Sequence, residues 1–363
     1  METIRSGQIF ALYLFDVAEA TDLTAAARLV AGTARARLEP KAATPAYFQY
    51  QQPPLTFEGS AVGVATLDDF RVAFRIFDYG VVSLRLSRPF SGTWADLSGV
   101  AQTLVENEAL ERQSEQACRA VLQRLAPALK KPRESLLSED YLVFAVNELD
   151  RPHGADDMVE AHGSVIAGLL RGESAPLSRQ ERDEVLSHRI SYLADDLVIP
   201  TWNAAFVFDT PAGTLAAVEI CEFANSQLLQ FRYYDDLLDD ELARIYAEMQ
   251  RARWYDWILG RHYVRTARQV HALFIDVNEL TDRTENALKI IGDVYAARLF
   301  NLMGRRLDLD RWKTNVNEKL KTLDDIYRFL VDQVSMLRGQ FLELTIVLIL
   351  VFELVLLFLG VTS

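Results

Sequence analysis

The densest group of side chains able to hold a metal or move a proton is His153, Asp156, Asp157, Glu160 and His162. Imidazoles and carboxylates this close in sequence could bind a zinc-type ion if a loop folded around it. The same residues also suit a solvated acidic loop or a helix start, where Asp side chains accept free backbone N–H groups. The second reading is adopted. Asp195 and Asp196 fall on an expected strand, where adjacent side chains point to opposite faces and cannot act as a pair. Asp235, Asp236, Asp239, Asp240 and Glu241 read as a helix surface. Arg251, Arg253, Arg261, Arg265 and Arg268 form a basic stretch interleaved with Trp254, Tyr255 and Trp257. That stretch could contact RNA phosphate or lipid headgroups, but pairing with the many nearby acids is the simpler reading. Cys118 and Cys221 lie far apart and outside any CxxC or Cys/His pair, so both read as buried free thiols. Glycine-rich nucleotide loops, HExxH and GxSxG are absent from the sequence. No catalytic, cofactor-binding or metal residue is therefore assigned, and no cofactor is expected.

The elements that must position these groups come from a chain of 363 residues, half of them hydrophobic. That length suffices for a large core, as two domains or one large one. The formal net charge is −13, which disfavours broad electrostatic binding to nucleic acid.

Residues 341–360, FLELTIVLILVFELVLLFLG, depart from this average. Twenty residues match the thickness of a bilayer's hydrocarbon core, and sixteen of them are Leu, Ile, Val or Phe. At roughly −0.3 to −0.6 kcal/mol each, they favour insertion by an upper bound on the order of 5 to 10 kcal/mol. Glu353 opposes this by about 3 kcal/mol near the centre, and Glu343 by little at the headgroup end. A single transmembrane anchor is expected. Lys321, Arg328 and Arg338 precede it, which places the large N-terminal part on the cytoplasmic side. Residues 9–15 (IFALYLF) could serve as a minimal signal segment with a cleavage-like Ala18–Glu19–Ala20. A buried strand explains them better, because Asp16 follows at once and Glu2 weakens the basic start.

Ahead of the anchor, Val316, Leu320, Leu323, Tyr327, Leu330, Val334, Leu337, Phe341 and Leu344 recur at alternating spacings of four and three. This is an unbroken heptad seam. It predicts one long helix running into the bilayer, with Asp308 and Asp310 at its positive end. Self-association along the seam and a helical hairpin with 285–303 both satisfy the pattern. Beyond Phe341 the seam leaves Glu353 to one side. An acid within a membrane segment needs a partner, so Glu343 and Glu353 join Leu330, Val334, Leu337 and Phe341 as candidate anchor and assembly residues.

The remaining pattern is α+β. Strands are predicted over 8–15, 61–66, 70–77, 81–86, 141–146, 190–199 and 204–208, with a hairpin turn at Asp78–Tyr79–Gly80. Helices are predicted over 94–102, 109–129, 215–249 and 255–280. The expected organisation is an α+β domain over 1–210, a helical, coiled-coil domain over 211–340 and a transmembrane anchor over 341–360.

Three segments carry a family resemblance. They are FDYGVVSLRL (77–86), SYLADDLVIPTWNAAFVFD (191–209) with EFANSQLLQFRYYDDLLD (222–239), and the block from Val294 to Glu353. That block contains DLDRWKTNVNEKLKTLDDIYRFLVDQ and RGQFLELTIVLILVFE. With these the chain resembles the required-for-meiotic-nuclear-division family, also called domain of unknown function 155, as a bacterial member. The resemblance covers about the last half of the chain and one hairpin. It implies a membrane-anchored, self-assembling protein without catalysis. Mitochondrial relatives are similar in anchoring to the inner membrane, where they support translation by organelle ribosomes. The expected partners are the membrane, further copies of this chain and a protein ligand. A metal-dependent hydrolase or nuclease with its site in the N-terminal half is the alternative.

Overall fold

A computed structural model of the chain describes residues 2–31, 53–105, 107–151, 153–251 and 294–358, with 272, 274, 275, 277 and 278. The described residues divide into two compact units. One holds residues 1–233 and 283–311, the other 234–282 and 312–363.

The first unit is built on an eight-stranded sheet. Its centre is β1 (Thr3–Thr21), flanked by β5 (Val81–Thr93) and β6 (Leu129–Leu149), both antiparallel to it. The run Ile9–Phe15 is buried on both sides, as expected of a strand covered on both faces. It is the centre of the sheet, so the strand reading of 8–15 holds. Beyond β5 lie β4 (Phe70–Ile76) and then β2 (Leu55–Glu58), with the short β3 (Thr66–Leu67) also on β4. Beyond β6 lie β8 (Ala204–Phe208) and β7 (Leu197–Pro200). β8 runs parallel to β6, and every other pairing is antiparallel. The β4–β5 turn is where Asp78–Tyr79–Gly80 was expected. Gly80 has a φ of +79°, and a Cβ there would meet the Ala18 carbonyl oxygen at 1.8 Å. Only glycine fits that turn.

Five helices supply the residues buried with one face of the sheet. They are α1 (Leu23–Ala31), α2 (Trp94–Leu104), α3 (Glu108–Leu125), α4 (Ala155–Arg171) and α5 (Arg179–Ser187). Phe15, Phe74, Leu97, Cys118, Val121, Phe144, Ile166 and Phe206 share this core. Each large side chain contributes roughly 1.5–3 kcal/mol by leaving water. Local chemistry starts the helices. Thr93 Oγ1 accepts the Asp96 N–H at 3.2 Å while the Asp96 carboxylate accepts the Thr93 N–H at 2.8 Å, a reciprocal cap on α2. Asn107 caps α3 and Ser178 caps α5.

The first half of α6 (Pro211–Arg251) and α7 (Val294–Arg306) also belong to this unit or begin in it. Phe223 packs on Phe300 with ring centroids 5.5 Å apart. Tyr141 of β6 donates its hydroxyl to the Ala204 carbonyl at 2.8 Å and lies 3.7 Å from the Met303 sulfur. Both cysteines are free and buried. Burial pushes the Cys221 thiol up to about 12, so neither buried thiol is placed for nucleophilic chemistry.

Two predicted segments differ. Residues 61–66 are no strand: Gly59–Val62 forms a single 3₁₀ turn, closed by the Val64 N–H on the Gly59 carbonyl at 2.9 Å. The strand predicted over 190–199 shrinks to Leu197–Pro200, with a lone bridge at Ile190. Asp196 holds the intervening loop by accepting the Tyr192 and Leu193 N–H groups at 2.6 and 2.7 Å. Asp195 and Asp196 thus lie in a loop. The sequence pattern also missed β2, α5 and most of α4.

From Trp312 on, the second unit is carried by α8 (Leu309–Phe358), one helix of 50 residues that starts within the first unit. It begins after Asp308, whose φ of +55° ends the preceding turn. Val316, Leu320 and Leu323, the first seam positions, are buried, as are Leu238 and Ile245 of α6. Lys319 bridges Asp235 at 2.8 Å and Asp239 at 2.6 Å, so part of the acidic surface expected on α6 is paired. The helix predicted over 255–280, and the basic stretch beyond Arg251, lie outside the described residues apart from isolated positions.

Candidate functional site

Among the described residues of the first unit, two clusters bring together ionisable side chains distant in sequence around one carboxylate. One is made of His153, His162 and Glu2. The strand end that carries Glu2 is pinned by Asp150, which accepts the Thr3 N–H at 3.2 Å and Arg5 Nε at 3.0 Å, besides the Thr3 hydroxyl. These contacts hold the Asp150 carboxyl below its usual range, the Thr3 hydroxyl foremost and Arg5 next. Three residues beyond Asp150 comes His153, just ahead of α4. The turn is closed by Asp157, whose carboxylate accepts the Gly154 N–H at 3.2 Å. His162 lies on α4 at helical spacing between the buried Met158 and Ile166, so it stands at the edge of the core-facing side.

The three side chains converge. His162 Nε2 lies 2.8 Å from Glu2 Oε2, and His153 Nδ1 lies 3.5 Å from Glu2 Oε1. The two imidazole centroids are 5.7 Å apart. Trp94 stacks on His162 at 4.4 Å with planes 20° apart, which fixes the ring. Glu2 Oε1 is shielded from solvent and accepts no hydrogen bond. One ligand atom from each of the three residues lies within 4.8 Å of the others. Asp156, Asp157 and Glu160 stay exposed, and the two aspartates occupy the first turn of α4. The helix-start reading therefore fits the acidic members, while the two histidines turn inward to a carboxylate 160 residues away from His162.

The second cluster lies between β4, β5 and α6. Glu222 is fully buried. Its carboxylate accepts Arg85 Nη2 at 2.5 Å, Ser83 Oγ at 2.5 Å and Arg75 Nη1 at 3.1 Å. Arg75 also reaches Glu219 at 3.4 Å. The sheet register explains the convergence: Arg75 pairs with Ser83, and Arg85 is two residues on, so all three share one face. On α6, Glu219, Glu222, Ser226 and Gln230 repeat at helical spacing, and Ser226 meets the Tyr79 hydroxyl at 2.7 Å. Burial alone would raise the Glu222 carboxyl, but Arg85 and Arg75 outweigh it and hold the group below its usual range. Glu219 moves the other way, because burial outweighs Arg75. This cluster joins the hairpin 77–86 and the helix segment 222–239, both named above for the family resemblance.

Asp16 of β1 is buried beside Arg133, whose Nε lies 3.4 Å from its carboxylate and whose guanidinium sits 3.7 Å above the Tyr233 ring. Burial, only partly offset by Arg133, pushes the Asp16 carboxyl up to about 6 from 3.8. The folded chain therefore keeps this proton at pH values where the unfolded chain has released it. Stability from this group is present below the unfolded value and is lost as pH rises through about 6. Asp16→Asn is expected to flatten that limb, a change of about 2–3 kcal/mol at most. Melting temperatures of both proteins across the range, in mild detergent, check it. Parallel pH profiles for the two proteins count against it.

The anchor and assembly candidates all lie on α8. Phe341, Glu343 and Glu353 are exposed on it, while the side chains of Leu330, Val334 and Leu337 lie outside the described residues. Gly339–Leu356 is long and apolar enough to cross a membrane, and none of it is buried by the rest of the chain. A soluble core helix is ordinarily covered, so exposure along the whole window favours the anchor over a core helix.

The chain is 25% identical over 229 residues to the "Uncharacterized protein MJ0711" of Methanocaldococcus jannaschii, a stretch that covers 63% of this chain and 68% of that protein. No solved structure matches the chain. All but the first three residues of the sheet, with His153, His162 and the first residues of α6, fall within residues 6–214, which match the family described as "Uncharacterized protein MJ0711, N-terminal domain", and the chain belongs to that family.

Proposed function

We propose that this chain is a membrane-anchored, self-associating tether without catalysis. The sheet-bearing unit lies on the cytoplasmic side of a bacterial inner membrane, where it presents a surface to a protein partner. The observation that carries this reading is the uncovered apolar window Gly339–Leu356 at the end of a 50-residue helix. The basic residues before the window give the orientation. The heptad spacing through Leu330, Val334, Leu337 and Phe341 supports self-association. Resemblance to the required-for-meiotic-nuclear-division family supports both the anchor and the assembly.

The test compares full-length protein with a truncation ending at Arg338. Full-length protein is expected to resist carbonate extraction, and the truncation to be soluble. Light scattering is expected to give a multimer for the truncation if the seam assembles the chain. A monomeric truncation from a multimeric parent moves assembly to the membrane helix and Glu353. A full-length protein that is soluble without detergent removes the anchor from the reading, and a full-length monomer in detergent removes self-association. Metal-dependent hydrolysis is kept as a second reading because Glu2, His153 and His162 meet. Turnover of a chromogenic phosphodiester by metal-loaded protein, abolished by His162→Ala, would favour it.

A further inference from the structure

We propose that Glu2, His153 and His162 form a binding site for one divalent transition-metal ion of the zinc type. The inference depends neither on the tether reading nor on hydrolysis.

The donor set is two imidazoles and one carboxylate, which suits borderline ions such as Zn²⁺ or Fe²⁺ better than Mg²⁺ or Ca²⁺. Ligand atoms bound at about 2.0–2.2 Å stand roughly 3–3.5 Å apart around such an ion. The His153 contact with Glu2 Oε1, at 3.5 Å, already has that spacing, and the His162 contact with Glu2 Oε2, at 2.8 Å, would open slightly. The whole set lies within 4.8 Å, which leaves on the order of 1 Å for side-chain rotation to close. An ion would replace the contact between His162 Nε2 and Glu2 Oε2.

Three further features separate the site from a chance surface pair. Each side chain is mostly buried, with 12–17% exposed. Glu2 Oε1 is shielded and accepts no hydrogen bond, and a metal bond would relieve that cost. Trp94 stacking and the Asp150 clamp orient the donors from outside, as supporting groups do around metal ligands. Three protein ligands leave a coordination position for water or a ligand, as sites with open chemistry do.

The experiment uses untagged full-length protein in detergent, stripped with chelator and then freed of it. Titration with Zn²⁺ by calorimetry and with Co²⁺ by visible absorption is expected to show one site per chain and a ligand-field spectrum. His153→Ala and His162→Ala should each weaken binding by about 10–100-fold or more, and Glu2→Gln should also weaken it. His188→Ala, outside the site, should bind as the parent does. Circular dichroism before titration selects variants that fold. If His162→Ala does not, His153→Ala and Glu2→Gln carry the test. No saturable binding by the parent overturns the proposal, as does undiminished affinity in the folded site variants.

Discussion

Glu222→Ala is expected to destabilise the sheet-bearing unit by about 3–5 kcal/mol, the cost of removing one partner from a buried ion cluster. The substitution leaves Arg75, which is 4% exposed, and Arg85 without the carboxylate they share. Glu219 cannot replace it, since it reaches Arg75 at 3.4 Å and is itself held up by burial. For a unit of this size each kcal/mol shifts the melting temperature by about 2–4 °C, so a fall on the order of 10 °C is expected. Scanning fluorimetry of full-length protein in mild detergent reads it. Glu222→Gln should lose less, because the amide oxygen still accepts from Ser83. Replacing Arg75, Arg85 and Glu222 together with apolar residues should recover much of the loss. An alanine variant that melts within about 2 °C of the parent would show the cluster to be energetically idle.

The second large effect concerns the anchor. Replacing Leu348 and Val351 with arginine adds about 5–7 kcal/mol at the helix centre. The gain for insertion, on the order of 5–10 kcal/mol less about 3 for Glu353, is brought to zero or beyond. Neither arginine pairs with Glu353, since spacings of five and two on a helix do not bring side chains together. The double-arginine protein is expected to leave the carbonate-resistant pellet, while Leu348→Ala with Val351→Ala stays in it. Retention of the double-arginine variant in the pellet would mean that these residues are not held in hydrocarbon.

The parts of this molecule that depend on neighbouring residues were legible in its sequence. The apolar run at 341–360 and the run Ile9–Phe15 announce themselves locally, as do the turn at Gly80 and the apolar spacing of α6. Helix α4 was harder. It carries Gly163, a poor helix former, and the structure supplies the reason: a Cβ there would come within 2.8 Å of Leu186 on α5. Close packing of two helices overrode propensity. The clusters were hidden because their members are distant in sequence. Arg75 and Glu222 are 147 residues apart, and Glu2 and His162 are 160 apart. A local hint existed in each case: two acids, Glu219 and Glu222, inside the otherwise apolar stretch VEICEF, and two histidines near a run of acids. Neither hint names its partner, because register and topology decide that.

The position of β1 has a consequence for how the chain is made. It is the first strand in the described order, yet it occupies the middle of the sheet, between partners that begin at Val81 and Leu129. During synthesis its apolar run must wait for its first partner, 60 residues beyond Thr21 at Val81, and for its second, 108 residues beyond at Leu129. Such long-range pairing is slow and leaves nascent chains prone to aggregation. While it waits, IFALYLF is a bare hydrophobic segment of the nascent chain. The feature that makes this strand the keystone of the finished fold also leaves the nascent chain open to aggregation until both of its partners have emerged.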